Sequence, residues 1–259
     1  MNHTRVEQAD GILTITFTRD EKRNAISPDM TTTLREGVDQ LTRDAAIRAL
    51  VITAEGRFFT AGIDLAAPSP SDASDFREFR RRYAEHHALY DAIEAVEKPV
   101  ILAAQGPCLG AGLEMAASVD FRFATPETYF QLPEVALGTI AGSGGTSRVT
   151  RLVGPHWGKW LAMANQKVPA DRALAIGLVH EVWAVDGFAS RVHSFAVELT
   201  RLPEQALGAA KLAVDMVADS DRRTARDIER VINTSLIFGD EYAAARERFQ
   251  RRPRDGQAG

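Results

Sequence analysis

Along the first two thirds of the chain, short β-branched runs alternate with longer stretches of helical periodicity. Residues 11–17 read as a strand, with Ile15 and Phe17 recurring at period two. Ser27 followed by Pro28 marks a helix start, because proline lacks an N–H that the first turn would leave unpaired anyway. That helix should end near Arg43. Residues 49–53, 99–104, 121–124 and 179–183 read as further buried strands. Strands separated by helix-sized segments predict βαβ-like units and a mostly parallel sheet. A helix over 76–96 places Phe79, Tyr83, His87, Tyr90 and Ile93 near one face. The Pro- and Ser-rich segment 68–74 reads as a mobile loop.

From Phe188 onward the pattern is helical. One helix opens at Leu202-Pro203-Glu204, and a charged helix runs over 224–252 with a break near Gly239. This tail has too little apolar content to fold alone, so it should pack on the front portion or on another subunit. Residues 253–259 should fray.

Composition narrows the class. The chain has 259 residues, 45% hydrophobic and 25% charged, which is ordinary for a globular protein. A net charge of -4 gives no basic field for nucleic acid. The single cysteine, Cys108, excludes an intrachain disulfide and fits a reducing compartment. The first residues lack the apolar core of a signal peptide, and no run of ~18 apolar residues could span a membrane. A cytoplasmic protein without membrane or nucleic-acid partners is therefore expected.

Three stretches carry candidate chemistry. Residues 57–65, Arg-Phe-Phe-Thr-Ala-Gly-Ile-Asp-Leu, follow a strand, and Gly62 can turn N–H groups toward a ligand. Read plainly, they are a strand-to-helix turn with Asp64 as its cap. Residues 105–116 place three glycines where a strand meets a helix, which leaves N–H groups bare for developing negative charge. Glu114 lies in the first turn of that helix, as a surface acid near a helix start also would. Residues 130–146 are glycine-rich with one acid, Glu134, among apolar neighbours. Burial would raise its pKa and make it a candidate general acid or base. The spacing of a phosphate loop is absent.

Together these stretches resemble the crotonase family, also called the enoyl-CoA hydratase/isomerase superfamily. The motifs are Phe-Thr-Ala-Gly-Ile-Asp-Leu at 59–65, Pro133-Glu134 with Leu137-Gly138, and Gly144-Gly145-Thr146 with Arg151-Leu152-Val153-Gly154. The resemblance implies an α/β fold with a β-spiral core of repeated ββα units over residues 1–190. A helical region over 191–259 would serve oligomerisation, as a trimer or a pair of trimers. It implies that the N–H groups of Ile63 and Ala111 hold the thioester oxygen of an acyl-CoA, although glycine is commoner at the second position. Each such donor is worth ~3 to 4 kcal/mol.

Glu114 and Glu134 match the two acids of the hydratases. Glu114 would orient and deprotonate water, and Glu134 would deliver a proton to Cα of a trans-2-enoyl-CoA. An isomerase moving the double bond from C3 to C2 would need only Glu134. A non-catalytic CoA-binding or RNA-binding relative is the reading from another class. Residues 29–43 contain no lysine, so the RNA-binding signal of such relatives is missing. The dehalogenases' aspartate position holds Gly142, and His87 falls near their histidine, which leaves His87 as a pocket-wall or packing residue. Lys22, Arg23, Ala25, Ala61, Gly62, Asp64, Leu65 and Gly110 are implied to line the CoA and substrate path. Arg248, Arg251 and Arg252 could reach CoA from a neighbouring subunit. No metal or other cofactor is expected, because CoA is part of the substrate.

Overall fold

The structure, a computed structural model, describes residues 3–67 and 74–251. Most of the predicted loop at 68–74 and all of the fraying end at 253–259 lie outside the described residues. The chain forms two compact units, Met1–Thr200 and Arg201–Gly259.

In the first unit, β1 (Thr4–Ala9), β2 (Ile12–Phe17), β3 (Ala49–Ala54), β4 (Val100–Ala104), β6 (Phe121–Ala124) and β9 (Glu181–Val182) form one sheet in that order. Only β1 runs antiparallel to its neighbour; the other pairings are parallel. A smaller sheet has the order β5 (Cys108–Leu109), β7 (Tyr129–Gln131), β8 (Val168–Pro169). The helices of this unit are α1 (Pro28–Arg43), α2 (Phe76–Ala95), α3 (Ala111–Ala116), α4 (Ser147–Ala162), α5 (Ala170–Ala175) and α6 (Phe188–Thr200). Ser27 caps α1 by accepting from the Met30 N–H, as the Ser-Pro signal predicts.

The parallel strands are apolar at nearly every position because both faces of the large sheet are covered. Leu13, Ile15 and Phe17, with Leu50, Ile52, Val100 and Leu102, share one core with Met30, Leu34, Val38 and Leu41 of α1 and with Leu89, Tyr90 and Ile93 of α2. The alternate residues, Ile12, Ala49, Val51, Ile101 and Ala103, meet Phe188, Val192, Ala196 and Leu199 of α6. The sequence expectation divides the chain after residue 190. The compact unit runs to Thr200, because α6 buries its apolar face in this second core.

The second unit contains α7 (Glu204–Ala218), α8 (Arg222–Ile237) and α9 (Asp240–Gln250). The expected break falls at Phe238–Gly239. Glu241 at the start of α9 accepts from the Gln205 N–H at the start of α7. No helix among the described residues is long and apolar enough to cross a membrane.

Candidate active site

The site begins with three chain segments laced side by side. Asn24 is fully buried and its amide works in both directions. Its Oδ1 accepts from the Arg19 N–H at 2.7 Å, and its Nδ2 donates to the carbonyls of Glu55 and Phe58, both at 2.8 Å. Segment 60–64 then pairs with 23–26: Ala61 N–H donates to Arg23 O, Ile26 N–H to Gly62 O and Asp64 N–H to Ile26 O. On its other side, Thr60 exchanges backbone bonds with Pro107 and Leu109. The Thr60 hydroxyl, buried in the middle, donates to Asn24 O at 2.6 Å and accepts from the Gly62 N–H at 3.1 Å.

Gly62 has φ +94°, which a side chain would strain. A β-carbon there would also stand 3.1 Å from Leu109 O and 3.6 Å from Ala111 N. This close approach sets the Ile63 segment beside the start of α3. Neither the Ile63 nor the Ala111 N–H donates to any acceptor among the described residues. Asp64, next in sequence, is held by Arg19 at 2.6 Å, and the same guanidinium nitrogen donates to Ala25 O. The arginine is the main reason the Asp64 carboxyl lies below its ordinary pKa; the Ala66 N–H adds to it. Tyr90 of α2 donates to Ala111 O at 3.1 Å and fixes the first turn of α3.

Glu114 is buried in α3, and its Oε1 accepts from the N–H groups of Ser143, at 2.8 Å, and Gly145, at 3.3 Å. These donors favour its charged form, yet burial prevails and pushes its pKa up to about 7. The charge of Glu134 adds to the rise, so the two carboxyls lie within electrostatic reach of each other. Glu134 stands in the 3-10 turn Pro133–Leu137, and burial raises its pKa too. Its Oε2 is buried without a hydrogen-bond partner.

The structure thus brings together Ala61, Gly62, Ile63, Asp64, Gly110, Ala111, Glu114 and Glu134. Arg23 and Ala25 join them through the 23–26 pairing, and Lys22, whose carbonyl accepts from the Ala25 N–H, precedes it; Lys22 and Arg23 are exposed. The Arg23 guanidinium lies over the Phe58 ring, and Leu65 is exposed. Arg248 and Arg251 are exposed on the second unit, with Arg251 paired to Glu247. Arg252 lies outside the described residues.

Four residues of this arrangement have roles that the sequence reading does not assign. Arg19, Thr60 and Asn24 act through hydrogen bonds that no local pattern announces. Arg148, at the start of α4, donates through Nε to Glu94 at 2.9 Å and through Nη2 to Asp91, both on α2. Its backbone N–H donates to Gly144 O, in the loop that clasps Glu114.

Two carboxyls raised by burial, beside two uncommitted backbone N–H groups, make a site for proton transfer next to developing negative charge. The sequence profile of the enoyl-CoA hydratase/isomerase family matches residues 7–254. The chain belongs to that family. It is 34% identical over 225 residues to crotonyl-CoA hydratase of Syntrophomonas wolfei subsp. wolfei, covering 86% of this chain and 85% of that protein. It is 31% identical over 211 residues to 4-chlorobenzoyl coenzyme A dehalogenase-2 of an Arthrobacter species, covering 81% and 76%. Its fold matches the crystal structure of an enoyl-CoA hydratase subunit of Geobacillus kaustophilus HTA426 with a TM-score of 0.87 and 28% identity, covering 99% and 98%. The α/β crotonase fold expected from the motifs is the fold observed.

Proposed function

We propose that this protein is an enoyl-CoA hydratase, adding water syn across a trans-2-enoyl-CoA thioester to give the 3-hydroxyacyl-CoA. The observation that carries the reading is the carboxyl pair: Glu114 clasped by two backbone N–H groups, with the charge of Glu134 near enough to raise it. In the reaction, Glu114 takes one proton from water as its oxygen bonds to Cβ. The π electrons move through Cα onto the thioester oxygen, which the Ile63 and Ala111 N–H groups stabilise. Glu134, protonated, then delivers its proton to Cα, and the proton on Glu114 resets the pair.

The split of roles follows from coupling. Once Glu134 is protonated, the charge that lifts Glu114 is gone, and the two N–H donors favour Glu114 as the ionised partner. Dehalogenation of an aryl thioester is disfavoured, because the position expected for a nucleophilic aspartate is Gly142.

A second reading, isomerisation of a 3-enoyl to a 2-enoyl thioester by Glu134 alone, has one observation in its favour. Glu134 Oε2 has no protein partner to occupy it. The test is to mix the protein with crotonyl-CoA and longer enoyl-CoAs and follow the conjugated-thioester absorbance. Its loss supports hydration, and no loss at any chain length sinks the reading. Glu114→Gln should abolish hydration while sparing isomerisation.

The reading carries two further expectations. Substrate CoA would run along Lys22, Arg23 and Ala25, with Leu65 at the acyl end and no added metal or cofactor. The protein would work in the cytoplasm as a trimer or a pair of trimers, and Val231, Phe238 and Phe249 expose apolar surface on the second unit for such contacts. Analytical ultracentrifugation checks the assembly.

A further inference from the structure

One face of α2 carries Phe79, Tyr83, His87 and Tyr90 at successive helical turns. Its far end is tied to the site, because Tyr90 donates to Ala111 O. Its near end is tied there too. Tyr83 lies so close over Gly142 that a β-carbon at 142 would stand 2.1 Å from the phenolic oxygen. The next residue, Ser143, donates to Glu114. The stretch of α2 between these anchors therefore flanks the segment from the oxyanion donors to the carboxyl clasp, and His87 lies within it.

The chemistry of this wall is unusual for an aliphatic pocket. Phe79 and Tyr83 stack at 5.3 Å, and Tyr83 and His87 meet at 4.2 Å. The wall is thus a row of rings, which pairs well with another ring. It also carries polar atoms without a protein partner. His87 Nε2 is buried and unbonded, and the half-buried Tyr83 hydroxyl, set against Gly142, has no hydrogen-bond partner among the described residues. A buried nitrogen left unmatched is costly, and native structures rarely keep one without a use. A straight alkyl chain would leave His87 Nε2 unmatched and offer the Tyr83 hydroxyl nothing. A ring bearing a hydroxyl would satisfy them, since that oxygen both donates and accepts, as Tyr83 does, and so suits His87 in either tautomer.

We propose that the acyl group of the substrate is an aromatic ring carrying an oxygen substituent, held by His87 and Tyr83. This rests on the acyl-CoA site proposed above, and it assigns His87 and Tyr83 as specificity residues rather than packing.

The test uses binding, so that it does not depend on turnover. Phenylpropanoyl-CoA and its para-hydroxy counterpart, both saturated, are titrated calorimetrically against the full-length protein. The hydroxylated thioester should bind about tenfold more tightly. His87→Phe and Tyr83→Phe should each shrink that ratio, and the double variant should bring it to one. His87→Gln, which keeps a hydrogen-bonding end, should restore part of it. Equal binding of the two thioesters by the unaltered protein would overturn the proposal, as would a preference that survives in the double variant. If the preference stands but no enoyl-CoA is hydrated, the hydratase reading fails alone. Hydration with equal binding fails only this inference.

Discussion

The Glu134 carboxylate lies against the backbone of Gly110, where a β-carbon would stand 2.9 Å from Oε1. Gly110 itself has φ +51° and ψ −121°, a conformation that any side chain strains. It also closes the turn from β5 into α3, with its N–H on Gln131 O. Gly110→Ala therefore disturbs Glu134, the proposed proton donor, and the Ala111 N–H together. We expect a fall of about 10²-fold or more in hydration rate, the scale of a lost acid–base group. Steady-state kinetics on crotonyl-CoA, beside a thermal melt, check it.

Glu114 titrates near neutrality, and its proposed role needs it ionised. The value of kcat/KM should therefore rise with pH below about 7, as Glu114 ionises beside a protonated Glu134, and fall again where Glu134 loses its proton. Part of that elevation comes from Glu134. In Glu134→Gln the like charge is gone, so Glu114 should lose its proton at lower pH. Infrared difference spectra of the buried carboxylic acid band would report the shift; an unmoved band would separate the two acids.

The same elevation carries a stability cost with a definite sign. Unfolded, Glu114 should titrate at about 4.3. Folded, it holds its proton to about 7. Folding therefore weakens as pH rises between these values, and the penalty is complete above the upper one. Glu114→Gln removes the charge but keeps an oxygen for the Ser143 and Gly145 N–H groups. The variant should be the more stable protein at alkaline pH by up to about 4 kcal/mol. Denaturant titrations at alkaline and mildly acidic pH should show that advantage shrinking in acid.

Arg19→Met removes the partner of Asp64, in a pair whose side chains are each 14% exposed. It also frees Ala25 O. A loss of about 1 to 3 kcal/mol in stability is expected. Turnover should fall as well, because Asp64 follows Ile63 directly. Asp64 is held below its ordinary pKa, so its contribution is present near neutrality and fades as pH drops through that lowered value. The gap in melting temperature between the two proteins should close accordingly in acid.

The elements that the sequence makes plain are those whose own residues decide them. Ser27-Pro28 announces α1, and the apolar runs of β3, β4 and β6 announce strands covered on both faces. The first strand, Thr4–Ala9, carries no such mark, because it is an edge strand with only Thr4 buried and no apolar alternation. The short strands β5, β7 and β8, of two or three residues each, are defined by their partners rather than by propensity. The site divides likewise. Glycine spacing and two acids in apolar settings are local signals. The clasp on Glu114 joins positions 29 and 31 residues apart, and Arg19 reaches 45 residues to Asp64. Only the folded chain shows such pairings.

Arg148 grips α2 through Asp91 and Glu94 while its own backbone holds Gly144. The helix that bears the aromatic row and the loop that clasps Glu114 are thereby one mechanical piece. Reshaping the pocket by moving α2 would drag the chemistry with it. A redesign for new acyl groups would do better to exchange side chains on a stationary helix, and evolution working on this scaffold would face the same choice.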